Sequence, residues 1–363
     1  MQYSYIPLPE TFKRDSSVSW ARRSSDPVLT RIDNLLSFYQ RRRFATQTED
    51  QLMALAALTD LFMATRYWVR LAANAQNHAT LKPERLPAVQ ALHGAVVDAL
   101  RQQVGCSDAA AVAQFVTDFK CRTLSDHGAF IDQMVGDTVD TATPPSAYYF
   151  NTLRRQATAV RFENGVAYRM SAKGTQRMVK LNSADFESPL MRANVMSMKG
   201  WAPFAMGEEG DLYMTRHFIG ENDEGNVGHE KIYHSTYTGG GPLVAAGTML
   251  VVDGLILGMR GDSGHYKPTD HNLTEALRVL ATRGVKVQRI KVHDWNADNP
   301  RPPMRAMDFI ASQRQNFIRQ LGAKKQAALQ RAQAPAVTTN NPATGVAAVH
   351  LAPVPEVAEY WNV

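Results

Sequence analysis

Two short polar turns in the middle of the chain hold most of the side chains that can do chemistry. Their imidazole, hydroxyl and phenol groups belong to His234, Ser235, Thr236, Ser263, His265 and Tyr266. Three consecutive glycines stand just after the first turn: Gly239, Gly240 and Gly241. An imidazole in such a turn can bind a ribose hydroxyl, act as a base or satisfy a buried carbonyl. Glycines can hold a ligand against free amides or simply reverse the chain.

These turns flank an apolar segment that predicts a hairpin, which would bring the polar groups together and hold them rigidly. A Ser-His-Asp hydrolase site can be composed from Ser235 or Ser263, His234 or His265, and Asp262 or Asp270. No Gly-x-Ser-x-Gly elbow accompanies these residues. The acidic candidates for proton transfer are Glu230, Asp262, Asp270, Glu275 and Asp294. The sequence alone does not select among these carboxylates.

No metal site is predicted from the spacing of potential ligands. The histidines of this half are His217, His229, His234, His265, His271 and His293, and no pair has HxxxH spacing. The only cysteines, Cys106 and Cys121, lie in the first half of the chain without a recognisable catalytic partner sequence. We therefore expect them to be reduced and structural.

The first half of the chain has helical periodicity. Apolar residues recur three and four apart from Ser17 to about Val135, as in Ile32, Leu35, Leu36 and Tyr39. Asp26 followed by Pro27 is typical of a helix start. This pattern predicts an all-α unit of four or five helices.

Strand patterns replace the helical ones after the Pro-rich break at residues 141–146. Asn164-Gly165 and Asp253-Gly254 each join two apolar runs and predict hairpins. Further predicted strands cover residues 177–181, 203–206, 212–215, 231–234, 244–252, 255–260 and 285–292. A helix is predicted from Thr269 to Gly284, and a terminal helix over residues 304–321.

These patterns together predict an α+β protein. Its domains are an N-terminal all-α helical domain (17–140), a twisted, mostly antiparallel β-sheet domain with packed helices (147–321), and a flexible Ala/Pro-rich tail (322–363) in which Tyr360-Trp361 can anchor the end.

Composition sets limits on function. The chain has 363 residues, 44% of them hydrophobic, and a net charge of +6. The basic runs lack interleaved aromatic residues, so a nucleic-acid partner is not expected. No apolar stretch predicts a membrane span or a signal peptide, and we expect synthesis in the cytoplasm.

The segment from about Ala159 to Val292 resembles the shared domain of the plant IQ-motif calmodulin-binding family called IQM, and related domains of bacterial secreted toxins. The resemblance is carried by Val160–Met170, Asp211-Leu212-Tyr213, His234-Ser235-Thr236 with Gly239-Gly240-Gly241, Ala245-Ala246-Gly247, and Ser263-Gly264-His265-Tyr266-Lys267-Pro268-Thr269. Residues 38–43 only loosely imitate an IQ motif, so the resemblance does not imply calmodulin binding. The helical half resembles N-terminal regions of bacterial effectors that specialised secretion systems, such as type VI, deliver into target cells.

The resemblance implies a first hypothesis, in which the protein is a bacterial effector or toxin with ADP-ribosyltransferase activity and NAD as cofactor. His234 and Tyr266 are similar to the His and Tyr of diphtheria-toxin-like transferases, with His265, Ser263 and Asp294 as further catalytic candidates. Ser235, Thr236 and the three glycines would help to bind the cofactor. The implied partners are a target-cell protein, a cognate immunity protein and a component of the secretion apparatus.

Two alternatives remain open at this point. In one, the polar turns are structural and the chain is a non-catalytic protein-binding module. In the other, a different hydrolase or transferase reaction uses the same cleft, because a family resemblance indicates a fold more reliably than a reaction.

Overall fold

A computed structural model describes residues 6–15, 26–73, 83–125, 149–150, 152–171, 177–186, 199–216, 218–219, 230–294 and 301–333. Its helices are α1 (Pro9–Asp15), α2 (Pro27–Arg42), α3 (Thr48–Ala73), α4 (Leu86–Val104), α5 (Ala109–Lys120), α6 (Thr152–Thr158), α7 (Asp270–Thr282) and α8 (Ala306–Gln333). The described residues divide into two compact units, with boundaries at Phe119/Lys120 and at Ala311/Ser312. We call residues up to 119 and from 312 onward the helical unit, and residues 120–311 the sheet unit.

The helical unit is built around α3, against which α2 and α4 pack. The carboxylate of Asp26 caps α2 by accepting from the backbone N–H groups of Val28 and Leu29, at 2.9 and 3.2 Å. Its second oxygen accepts from the indole N–H of Trp68 at 2.7 Å, which ties the start of α2 to α3. Helix α3 is apolar and long enough to cross a membrane, but most of it is buried inside the fold, as in the core helix of a bundle. Four described helices, α2 to α5, lie in the range for which the sequence predicts four or five.

Helix α8 corrects the predicted start of the tail. It continues to Gln333, so residues 322–333 are helical. Residues in this stretch have high helix propensity, and Leu329 and Ala332 pack next to Gly105 of the same unit. The remaining tail, with Tyr360 and Trp361, lies outside the described residues, as does the break at 141–146.

The sheet unit holds a nine-stranded sheet in the order β11-β10-β9-β8-β4-β5-β1-β2-β3. The strands are β1 (Ala159–Glu163), β2 (Val166–Met170), β3 (Met178–Lys180), β4 (Trp201–Gly207), β5 (Leu212–Met214), β8 (Leu243–Val252), β9 (Leu255–Arg260), β10 (Lys291–Val292) and β11 (Met304–Arg305). All neighbours pair antiparallel except β9 and β10. A separate pair comprises β6 (Phe218–Ile219) and β7 (Glu230–Lys231). Helix α7 packs against β8. The predicted α+β class is confirmed.

Both predicted hairpins are confirmed. Asn164 and Gly165 have φ angles of 50° and 77°, and Asp253 and Gly254 have φ angles of 50° and 79°. Two consecutive residues with positive φ are what a tight hairpin turn needs, and Asn-Gly and Asp-Gly adopt them at low cost.

Two predicted strands are shorter than expected. The strand predicted over residues 231–234 ends at Lys231, because His234–Tyr237 form a 3₁₀ turn. The strand predicted over 285–292 contains only Lys291 and Val292, and Val287–Arg289 form another 3₁₀ turn. The apolar residues of this stretch, Val285, Val287 and Ile290, are nevertheless buried. Their alternating pattern therefore reflects burial in and around a 3₁₀ turn and not a strand.

Candidate functional site

The two polar turns do come together, and Tyr266 is the residue that joins them. Its phenol donates a hydrogen bond to the carbonyl of Gly241 at 2.8 Å. Its ring is fully buried in an apolar cluster that includes Phe150, Tyr237 and Leu243. The Tyr266 ring therefore faces the protein core in this structure.

The first turn uses its own polar groups internally. The hydroxyl of Thr236 accepts from the backbone N–H of Tyr233 at 3.0 Å, and Ser235 and Thr236 are fully buried. The N–H of Gly240 donates to the Ser235 carbonyl, and that of Gly241 donates to the Thr238 carbonyl. These two amides are therefore hydrogen-bonded within the turn instead of forming a ligand cradle.

The second turn is buried in a similar way. The His265 ring stacks on Tyr233 with 4.7 Å between centroids, and His265 is only 8% exposed. Ser263 is 4% exposed, and its hydroxyl lies 3.4 Å from the N–H of Tyr266.

A segment that the sequence placed in the helical domain covers these turns. We call residues Cys121–Ser125 the strap. Arg122 exchanges two backbone hydrogen bonds with Leu243, at 2.7 and 2.9 Å, and the N–H of Ser125 donates to the His265 carbonyl at 2.8 Å. A single bridge of this kind leaves no periodicity in the sequence, which is why the strap was missed.

His234 and Asp262 lie beside Gly247 on β8. The Nε2 of His234 donates to the Gly247 carbonyl at 3.0 Å, and burial lowers the pKa of His234. One carboxylate oxygen of Asp262 accepts from Thr248 at 2.9 Å and pairs with Arg260. Its other oxygen, Oδ1, is buried without a hydrogen-bond partner among the described residues. A Cβ on Gly247 would meet the Arg260 carbonyl at 1.9 Å, so only glycine fits there.

Glu275, one of the acidic candidates, is fully buried in an ion triad. Its carboxylate pairs with the ammonium of Lys120 and with the guanidinium of Arg278, the latter at 2.8 Å. All three side chains are at most 2% exposed. We call these three residues the buried triad. A carboxylate held by two cations in the core serves the fold and is not accessible to a substrate.

Asp294 belongs to a different part of the sheet unit. It lines a cleft of about 140 Å³, which we call the Asp294 cleft. The apolar lining comes from Pro268, Leu273, Val292, Pro302, Met304 and Phe309, and the polar lining comes from Thr269, Asp270, His293, Asp294 and Arg301, with Gly261 between them. None of the rings of His234, His265 and Tyr266 lines it.

Arg301 bridges the two carboxylates at the rim of this cleft. Its Nε lies 2.7 Å from Asp294 and its guanidinium lies 3.7 Å from Asp270. These two carboxylates raise the pKa of Arg301. On the cleft wall, His293 packs edge-on against Trp201, and burial lowers the pKa of His293. Sequence reasoning named both aspartates but missed Arg301, because an ion pair outside regular helical or strand spacing leaves no pattern in the sequence.

Other predicted site features have simpler outcomes. Among the described residues, no group of three or more His, Cys, Asp or Glu side chains is arranged to hold a metal ion. His217, His229 and the side chain of Glu230 lie outside the description. Cys106 and Cys121 are both partly buried, and neither forms a disulfide.

Residues 194–273 of this chain, which include both polar turns, are similar in sequence to a known domain. They match the family model described as the IQ motif-containing protein middle domain. The resemblance to the IQM shared domain is thus supported over a shorter segment than predicted.

Two plant proteins show the same similarity. The IQ domain-containing protein IQM3 of Arabidopsis thaliana is 32% identical over 69 residues, which is 19% of this chain and 15% of that protein. The IQ domain-containing protein IQM2 of the same plant is 30% identical over 81 residues, which is 22% of this chain and 13% of that protein. The matched segment thus covers a small part of either relative. No solved structure matches.

These findings correct the functional prediction. The family description and the matched proteins point to plant IQ-motif proteins, so the prediction of a bacterial secreted effector or toxin with ADP-ribosyltransferase activity is wrong. Delivery into a target cell through a secretion system such as type VI was predicted on the same basis and is also wrong. The relation to bacterial effector domains has no support from the matches.

Proposed function

We propose that the sheet unit is a protein-binding module in which the two polar turns are a structural clasp. The observation that carries this proposal is the hydrogen bond from the buried Tyr266 phenol to the Gly241 carbonyl. This bond joins one turn to the other and occupies the phenol, which the sequence had suggested as a catalytic group. Groups that are buried and hydrogen-bonded to each other stabilise a loop pair and leave little for a substrate.

The strap strengthens this argument. It pairs with Leu243 and with the turn at His265, so a third segment of the sheet unit is hydrogen-bonded to the clasp. A rigid scaffold of this kind is suited to presenting a fixed surface to a partner.

Calmodulin is the first protein to test, because the family that matches is described by an IQ motif. The segment of this chain that loosely imitates an IQ motif lies at the end of α2, and its Phe38 and Tyr39 are buried in the helical unit. Calmodulin can bind the apolar face of α2 only if α2 first dissociates from the helical unit. We therefore propose that the partner binds to the sheet unit.

The experiment is a peptide selection on the full chain, followed by calorimetric titration of synthetic versions of the enriched peptides. Random peptides displayed on phage sample all side-chain chemistries. The proposal predicts saturable binding of enriched peptides, and calmodulin, tested with and without Ca²⁺, should compete with them if it is the partner.

NAD is the control ligand in the same titration, because the sequence-based cofactor expectation predicts that it binds. The proposal predicts no heat of NAD binding and no release of nicotinamide. Failure to enrich any peptide, or saturable NAD binding that is lost in a folded His234→Ala variant, would reject the proposal.

A further inference from the structure

The Asp294 cleft is small and mostly apolar, and its size suggests what can occupy it. Its volume of about 140 Å³ is well below the roughly 300–1,000 Å³ of pockets for cofactors and drug-sized ligands. It is close to the roughly 150 Å³ of an engineered apolar cavity that accepts one benzene molecule. The cleft therefore has room for a single large apolar side chain.

The residues at the floor of the cleft are apolar, which also suits an apolar side chain. Leu273 and Phe309 are each 5% exposed, and Val292 is also 5% exposed. These residues of the sheet unit come from α7, the first turn of α8 and β10, so three different elements fix the shape of the floor. A pocket built on regular elements keeps its shape without a ligand, which reduces the entropy cost of binding.

The charges at the rim indicate what should stand next to that side chain. Two carboxylates, Asp270 and Asp294, share the guanidinium of Arg301, and burial lowers the pKa of His293, which favours its uncharged form. The charged groups that line the cleft therefore sum to one negative charge. Arg301 is 59% exposed, so an incoming cation can exchange with it at modest cost.

We infer that the Asp294 cleft anchors the partner of the proposed protein-binding module, through one large apolar side chain followed by a Lys or Arg. The apolar side chain enters the cleft, and the basic group takes a place beside Asp270 and Asp294 in exchange for Arg301. The inference rests on the proposed function and adds the location and the chemistry of the contact.

The test uses two dipeptides as probes on the full chain, acetyl-Phe-Arg-amide and acetyl-Phe-Glu-amide, and follows the methyl resonance of Met304, which lines the cleft. A Met304→Leu variant assigns that resonance. We expect acetyl-Phe-Arg-amide to shift it saturably and acetyl-Phe-Glu-amide to bind at least several-fold more weakly.

Two charge variants give opposite predictions. Asp294→Asn should weaken binding of the basic probe by about two- to five-fold, whereas Arg301→Gln should tighten it by a similar factor because a competing cation is removed. Asp253→Asn, at an exposed hairpin turn with positive φ, is the matched control and should change nothing. A purely structural ion pair would make both cleft variants weaker.

The peptides selected for the proposed function provide the second arm. Met304→Trp should fill the cleft and abolish their binding, and Met178→Trp, on the edge strand β3, is the control. Peptides that bind the wild type but also bind Met304→Trp would reject the cleft and leave the proposed function intact. No enrichment together with no shift of Met304 would reject both, and equal affinity for the two dipeptides would reject the predicted basic group.

Discussion

Replacing Tyr266 with phenylalanine removes one oxygen from the clasp and leaves the aromatic ring in place. The phenol is fully buried and donates to the Gly241 carbonyl at 2.8 Å. Removing the donor leaves a partly buried acceptor poorly satisfied, and an unsatisfied buried group costs about 1–3 kcal/mol. The hydroxyl of Thr238 also reaches that carbonyl, but at 3.4 Å. We therefore expect a loss of about 1–2 kcal/mol from the free energy of unfolding of the sheet unit.

The assay must report on the sheet unit alone, because a chain with two compact units need not unfold in one step. Hydrogen exchange of the β4 and β8 amides, followed by mass spectrometry, meets this need. The matched control is Tyr168→Phe on β2, whose side chain is half-buried, and we expect a change within about 0.5 kcal/mol there.

The result that would refute the clasp is a Tyr266→Phe protein as stable as the Tyr168→Phe control. If that protein also lost the binding of a ligand, the phenol would serve recognition and not folding. Tyr266→Ala sets the upper limit, since truncating a buried aromatic side chain costs about 3–5 kcal/mol.

Three further predictions concern the same unit. Gly247→Ala should destabilise it by several kcal/mol, because the added Cβ meets a carbonyl oxygen at 1.9 Å, whereas Gly264→Ala, with nothing within 4 Å, should be neutral or slightly stabilising in the same exchange assay. Lys120→Met should cost about 3 kcal/mol, and Glu275→Gln should cost more, because it neutralises the carboxylate that pairs with both cations of the buried triad; equal losses in the same exchange assay would contradict this order. The pKa of His234 is lowered by burial, so its contribution to stability is present above the unfolded pKa of about 6.5 and is lost as the pH falls through and below that value. His234→Gln should therefore flatten the loss of stability between about pH 7 and pH 5, and an unchanged pH profile would show that His234 does not titrate in this way.

The sequence was a good guide wherever structure follows from local rules. The apolar spacing of α2 and the Asp26-Pro27 start predicted a helix that the structure confirms, because an N-cap and a 3.6-residue period act within one turn. The hairpins at Asn164-Gly165 and Asp253-Gly254 were also predictable, since few residue pairs tolerate two positive φ angles.

The sequence also identified the two turns that meet in the clasp, but it could not say what they do. The same residue types fit a catalytic site or an internal hydrogen-bond network, and only the burial of Tyr266 and the direction of its phenol distinguish these cases. The transferase prediction, which the family comparison contradicts, relied on a His and a Tyr at a suitable spacing, and such spacing does not specify which way their rings face.

Tertiary structure alone decided the contacts that join distant parts of the chain. The strap reaches from Arg122 to Leu243, the buried triad joins Lys120 to Glu275, and Arg301 pairs with Asp270 across the cleft. Such pairs have no local signature, because a single hydrogen bond or ion pair imposes no period on the residues around it. Helices and turns were therefore determined by neighbouring residues, whereas the clasp and the cleft depend on which distant side chains the packed core brings together.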